Sequence, residues 1–356
     1  METVLEVSGL VTSFYTKSGE VRAVRGVSFS VNRGEILGIV GESGSGKSVT
    51  ALSILRLLPE NGVIKDGSIM FEGRDIARLS KNDPQARRWL RQIRGGKISM
   101  IFQDPMTSLN PLMTVGKQIE EAIAEHNPKL PKHELRARVT EFLKKVRIPD
   151  AESRYKAYPH EMSGGMRQRV MIAAALSGGP GAGSGPGAGA GPQLVIADEP
   201  TTALDVTIQD QILMLLKEMK KELNLSVILI THDLGVVAEI CDRMLVMYGG
   251  LILEEGLAPE IFQTPSHPYT LGLMASMPSI NQRKGEALKP IFGSPPDMLR
   301  PPEGCPFYPR CEWARNICTS APDYTNLTDT HRSMCWLLSP DAPKEDNPFG
   351  EDVRKK

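Results

Sequence analysis

The segment Gly41-Glu42-Ser43-Gly44-Ser45-Gly46-Lys47-Ser48 constrains this chain more than any other. It fits the spacing G-x-x-x-x-G-K-[ST]. The run before it, Ile36-Leu37-Gly38-Ile39-Val40, is short and continuously apolar, as in a strand buried on both faces. After it, Val49 to Leu58 place apolar residues on a helical period, and Pro59 stops the run. A glycine loop between a buried strand and a helix start is the setting in which this spacing carries chemistry. Glycines let the backbone curl its N–H groups toward an anion, and the helix start adds positive partial charge. Lys47 can then reach the β and γ phosphates, and Ser48 can place its hydroxyl on Mg²⁺. Gly41, Ser43, Gly44, Ser45, Gly46, Lys47, Ser48 and Val49 are therefore candidate nucleotide-binding residues.

Two later runs, Leu194-Val195-Ile196-Ala197 and Val227-Ile228-Leu229-Ile230, also read as buried strands. Each ends in polar or charged residues, where open α/β sheets place their chemistry. Asp198 can hold hydrated Mg²⁺ opposite Ser48, and Glu199 can polarise an attacking water. Ser163-Gly164-Gly165-Met166-Arg167-Gln168 precedes a helical stretch expected over 169–176. Two glycines and a serine cap there expose a second set of N–H groups to an anion.

Between these strands, residues 104–176 carry long polar-apolar helical patterns, notably over 115–125 and 133–147, and read as a helical insertion. The first ~35 residues read as short strands, with Val27, Phe29 and Val31 alternating against polar neighbours. Residues 178–192 are almost wholly Gly, Ala, Ser and Pro. Such a segment buries little and behaves as a flexible insertion in a surface loop. From 258 onward prolines become frequent, and the tail 341–356 is polar and reads as disordered.

The 356 residues carry 42 basic and 42 acidic side chains, which argues against nucleic-acid binding through bulk charge. The basic run Arg87–Arg94 reads as a solvated helix face. No run approaches the ~18 apolar residues of a membrane-spanning helix. The N-terminus lacks the basic start and apolar run of a signal peptide. Both point to a cytosolic chain, for which any membrane role would come through a partner.

In this order, the motifs make the sequence similar to the ATPase subunit of ATP-binding cassette (ABC) transporters. Gly41–Ser48 resembles Walker A, and Gln103 in Ile101-Phe102-Gln103-Asp104-Pro105 resembles the Q-loop. Ser163–Gln168 resembles the signature motif, and Leu194–Glu199 Walker B with its catalytic glutamate. Ala203-Leu204-Asp205 resembles the D-loop, and His232 in Thr231-His232-Asp233 the switch histidine. The resemblance implies an α/β P-loop NTPase (RecA-like) core, with an N-terminal antiparallel β subdomain, a helical subdomain and a C-terminal Cys-rich extension. It implies catalysis by Glu199, His232, Gln103 and Lys47, and Mg²⁺ held by Ser48, Gln103 and Asp198. Phe14, or Tyr15 beside it, would stack on adenine. ATP would be clamped in a head-to-tail dimer between one cradle and Ser163, Gly164, Gly165, Gln168 and Asp205 of the other subunit. The domains implied are a nucleotide-binding domain over 1–257, an extension over 258–300, a Cys-rich region over 301–340 and the polar tail.

Phe102–Pro111, Asp198–Gln209 and Ser266-His267-Pro268-Tyr269-Thr270 narrow the resemblance to the oligopeptide/dipeptide/nickel importer branch, in its D-type subunit form. That branch implies a peripheral place on the inner (cytoplasmic) membrane face. The implied partners are the ABC transporter membrane subunits, a second ATPase subunit (F-type, or a copy of this chain) and, indirectly, an external solute-binding protein. Peptides and nickel both remain open as solutes. A soluble ABC ATPase acting on nucleic acid or ribosomes is the rival class. It is disfavoured by a single cassette and the absence of long coiled coils.

Cys305, Cys311, Cys318 and Cys335 crowd the tail. Thiolates suit iron–sulfur clusters or zinc. Their gaps are wider than the tight pairs usual in structural zinc sites. The D-type resemblance implies a [4Fe-4S] cluster, with Zn²⁺ or free thiols as alternatives, and a stapling role. His267 and His331 flank the set. Cys241 reads as an inert core residue, and His126, His133 and His160 as surface residues.

Overall fold

The computed structural model describes residues 2–80, 82–179, 191–202, 204–277, 290–342 and 347–349. Most of the segment 178–192, most of the tail 341–356, and Ala203 lie outside them. The chain divides into two compact units interleaved in sequence, one of residues 1–5, 31–36 and 78–230, the other of 6–30, 37–77 and 231–356.

In the first unit, the strands Ile98–Ile101, Leu194–Asp198 and Ser226–Thr231 lie parallel, the second between the other two. Every residue of Leu194–Asp198 and of Ser226–Thr231 is buried, which explains their unbroken apolar pattern. The register pairs Asp198 with Ile230. The helices Val115–His126, Lys132–Lys145 and Gly164–Ser177 pack on one another, with Ile119, Ile123, Val139, Phe142, Leu143, Val170 and Ile172 turned inward. These three helices lie within residues 104–177. The helix Pro84–Ile93 is capped by Asp83 and buries Ala86, Leu90 and Ile93. Its arginines Arg87, Arg88 and Arg91 face outward, and Arg91 pairs with Glu125. One surface expectation fails. His126 is half-buried, because Gly95 and Gly96 let its ring approach to where a Cβ on Gly96 would sit 2.9 Å from Nδ1. That burial lowers its pKa.

The second unit holds a four-stranded sheet in the order Gly19–Asn32, Thr3–Thr16, Gly62–Phe71, Arg74–Asp75. The N-terminal strands are longer than anticipated, 14 residues each, and form one hairpin across Lys17 and Ser18. In the same unit Leu37–Val40, of the strand Ile36–Val40, run parallel to the strand Arg243–Tyr248, which pairs antiparallel with Leu251–Leu257. Ile36, Leu37, Ile39 and Val40 are each at most 1% exposed. Burial of each such side chain contributes about 1.5–3 kcal/mol.

The helix after the glycine loop is Lys47–Ile54, not 49–58. It ends early because Arg56 takes the left-handed conformation, φ 53°. The Arg56 N–H then donates to Ser53 O and the Leu57 N–H to Leu52 O, which closes the last turn. Arg56 in turn donates through Nη1 to Ala77 O.

The tail is fastened to strand Leu251–Leu257 by the short strand Arg332–Ser333. Buried Glu254 accepts from the Ser266 N–H at 2.7 Å and contacts His331 Nε2 at 2.8 Å. Arg332 donates to Glu255. His331 is thus engaged by Glu254.

Candidate functional site

Steric demand explains two of the loop's glycines, Gly41 and Gly46. A Cβ on Gly41 would lie 2.1 Å from Met247 O, and one on Gly46 2.6 Å from Ala23 O. Gly46 has φ 103° and sits at the N-cap of Lys47–Ile54, where no side chain caps the helix. Lys47 is 5% exposed. Its Nζ donates to Gly41 O at 2.7 Å and Glu42 O at 2.9 Å, so the lysine arches back across the loop it serves. Ser45 is buried, and its Oγ has no hydrogen-bond partner among the described residues. His232, in the same unit, is exposed just past strand Ser226–Thr231. Asp233 caps the next helix, accepting from the Gly235 N–H at 2.8 Å. Phe14 is half-buried, its ring against Gly62, whereas Tyr15 is 50% exposed.

The first unit assembles the carboxylates. Asp198 ends the buried strand and is 6% exposed. Glu199 follows with φ 46°, a left-handed turn that takes it out of the strand. Its N–H donates to Ile230 O at 2.8 Å. Its Oε2 accepts from Gln103 Nε2 at 2.9 Å and from Thr202 Oγ1 at 2.9 Å. The structure therefore brings Gln103 to Glu199, residues 96 apart in sequence. Thr202 was not anticipated in this role. The only sequence signal for it was a hydroxyl three residues beyond the glutamate.

Ser163 caps the helix Gly164–Ser177, its Oγ accepting from the Met166 N–H at 3.3 Å. The helix starts five residues before the stretch expected from periodicity. Gly165 is required there, since a Cβ would meet Ile208 Cγ2 at 2.8 Å. Gln168 is 1% exposed. Its side chain thus belongs to the helix's inner face, while Ser163 is exposed. Asp205 is exposed and caps helix Val206–Leu223, accepting from the Ile208 N–H at 3.1 Å.

In the second unit Cys305, Cys311, Cys318 and Cys335 line one cavity, together with His267 and Phe307. The Cys305 N–H donates to Cys318 O at 3.0 Å, an approach that only Gly304 permits, since a Cβ there would lie 2.3 Å from that oxygen. None of the five cysteines is in a disulfide, and Cys241 is buried beside Gly38 and Val237. Burial pushes the Cys305 thiol up to about 11 and the Cys311 thiol up to about 12, and raises Cys335 further, with the neighbouring thiols adding to each shift. Buried thiols that repel one another's charge ionise together only when a cation replaces their protons. His267 is 1% exposed. Its Nδ1 accepts from the Tyr269 N–H at 3.0 Å, so the ring proton sits on Nε2, which has no partner among the described residues. An orphaned donor in a thiol-lined cavity fits a sulfur-rich group there. Among the described residues no group of three or more His, Cys, Asp or Glu side chains is arranged to hold a single metal ion. No helix among them is long and apolar enough to cross a membrane.

Residues 24–202 match the ABC transporter family, and residues 253–318 the oligopeptide/dipeptide transporter C-terminal region. The chain is 51% identical over 355 residues to the oligopeptide transport ATP-binding protein OppD of Bacillus subtilis, covering 99% of this chain and 93% of that one. It is 50% identical over 339 residues to the dipeptide transport ATP-binding protein DppD of the same organism, covering 95% of each. Among solved structures it is similar to the ATP-binding cassette MJ0796, a dimer in a post-hydrolysis state bound to ADP and Pi. The TM-score is 0.60 at 26% identity, over 71% of this chain and 98% of that one. CbiO1 of Clostridium perfringens, part of an ABC transporter complex, gives a TM-score of 0.59 at 30% identity, over 74% and 92%.

Proposed function

The chain belongs to the ABC transporter family, within its oligopeptide/dipeptide branch, and from that premise we propose that it is the ATP-hydrolysing subunit that powers a peptide importer. One observation carries the mechanism best. The carboxylate placed to polarise water, Glu199, is held by Gln103, which lies just before the helical insertion. Chemistry at the γ-phosphate and movement of the helices therefore share one hydrogen bond.

The backbone N–H groups of the glycine loop cradle the phosphates of MgATP, and Lys47 supplies the point charge. Ser48, Asp198 and Gln103 hold the Mg²⁺ of the substrate. Glu199 accepts a proton from water, and His232 stabilises charge on the γ-phosphate. Tyr15 is the exposed aromatic available to adenine, whereas Phe14 is packed against Gly62. Ser163, Gly164 and Gly165 of a second protomer, with Asp205 at its helix start, close over the same triphosphate. Gln168 supports that helix from its buried face. Hydrolysis removes part of the interface and lets the protomers separate.

The four tail cysteines would hold a [4Fe-4S] cluster, which supplies covalent cross-links to a segment poor in large apolar residues. Membrane subunits at the inner face bind the helical insertion. The second ATPase is an F-type subunit or another copy. An external binding protein delivers the peptide. The domain limits 1–257, 258–300 and 301–340 describe this division of labour.

Reconstitution with the membrane subunits in lipid vesicles tests the reading. Peptide-loaded binding protein outside should raise MgATP hydrolysis inside, and nickel in place of peptide should not. Stimulation by nucleic acid, with none by the membrane subunits, would overturn it in favour of the soluble class.

A further inference from the structure

Glu42, the second residue of the phosphate loop, is gripped from two sides by C-terminal residues of its own unit. Its N–H donates to Tyr269 Oη at 2.8 Å, and its Oε2 accepts from Arg310 Nη1 at 2.8 Å. We infer that the cysteine-bearing segment sets the shape of the nucleotide loop through this residue, with Arg310 and Tyr269 acting as positioning residues. The inference rests on the reading of 41–48 as the nucleotide site.

Arg310 is well placed for the task. Its side chain is 6% exposed and immediately precedes Cys311. Nη1 also donates to Tyr248 Oη at 3.0 Å, Nε to Phe292 O at 2.8 Å and Nη2 to Ile291 O at 3.0 Å. A planar guanidinium satisfied on all three nitrogens has one orientation, and lysine cannot reproduce it. Tyr269 is fully buried, so its hydroxyl has little freedom to follow a moving loop. Its ring lies 4.6 Å from that of Tyr248 and 5.3 Å from that of Phe307. Phe307 stands edge-on to Tyr248 and also lines the thiol cavity. A continuous packed block thus joins the cysteines to the loop. On the other side of Glu42, its carbonyl accepts from Lys47 Nζ at 2.9 Å. Displacing Glu42 moves an oxygen that places the lysine charge.

The test is MgADP binding to the full chain by calorimetry, with hydrolysis measured in parallel. Arg310→Met keeps the packing stem and removes the charge. It should weaken MgADP about tenfold, within the usual range of coupling between sites. KM for MgATP should rise by a similar factor while kcat changes less, because no reacting atom is touched. Tyr269→Phe keeps the ring and removes the hydroxyl, and should act in the same direction. Glu42→Gln should also weaken binding. The double variant Glu42→Gln, Arg310→Met should be no weaker than the weaker single one, since the Glu42–Arg310 pair is already lost in either single variant. Wild-type affinity in both Arg310→Met and Tyr269→Phe would overturn the inference, as would losses that add in the double variant. Failure of the wild-type chain to bind MgADP would instead overturn the nucleotide-site reading, and this inference with it.

Discussion

Glu199→Gln separates chemistry from architecture. The wild-type carboxylate accepts from Gln103 and Thr202, each at 2.9 Å. Glutamine has the same shape and keeps a carbonyl oxygen that accepts these donors. Both residues carry a Cβ, so the φ of 46° strains them equally. The weaker acceptor costs about 1 kcal/mol, against a total of about 5–15 for a domain. Losing the general base costs far more in rate. A positioned base contributes about 10²–10⁴-fold, or about 3–5 kcal/mol of barrier at 1.36 per decade. The variant should therefore melt within a few degrees of wild type, bind MgATP, and hydrolyse it at least about 100-fold more slowly. Single-turnover phosphate release, with calorimetric binding and thermal melting on the same samples, gives all three quantities. Hydrolysis within about threefold of wild type would refute the assignment of Glu199.

Lys47→Ala removes the buried ammonium, and MgADP affinity should fall at least about tenfold, read by titration. The purified chain should contain iron and sulfide and absorb near ~400 nm, while zinc alone would point to the other thiolate centre. Removing that metal centre should lower the melting temperature. In the metal-free chain the raised thiols of Cys305 and Cys311 remain protonated in the fold up to about 11 and about 12, from an ordinary 9.0. The unfolded chain loses those protons first, so the contribution of these thiols to metal-free stability should be full below about pH 9 and should be lost as the pH rises toward about 11 and about 12. Melting curves across that range check the sign.

Much of this was legible because it is local. The loop at 41–48, its strand at 36–40 and the strands ending at Asp198 and Thr231 each carry their own pattern of burial or backbone curvature. Other features were hidden because their causes are not local. The helix after the loop ends at Ile54 because Arg56 adopts a conformation that sequence rules reserve for glycine. The helix at Gly164 starts before its apolar pattern does, because Ser163 caps two glycines that periodicity cannot register. Glu42 and Arg310 are 268 residues apart, and nothing in either neighbourhood names the other. His267 reads as a spare ligand, yet its Nδ1 is a helix cap, and only its Nε2 is without a partner among the described residues. Thr202 lies in a run shared with the family, but its contact with Glu199 depends on the turn that Glu199 itself makes.

The central claim is that each ATP is cleaved between two protomers. Its most direct measurement is MgATP turnover per chain as a function of chain concentration, with mass read by light scattering in the same samples. Turnover should rise as chains pair, or stay near zero until the second ATPase subunit is added. Constant turnover per chain, down to concentrations at which only single chains scatter, would contradict it.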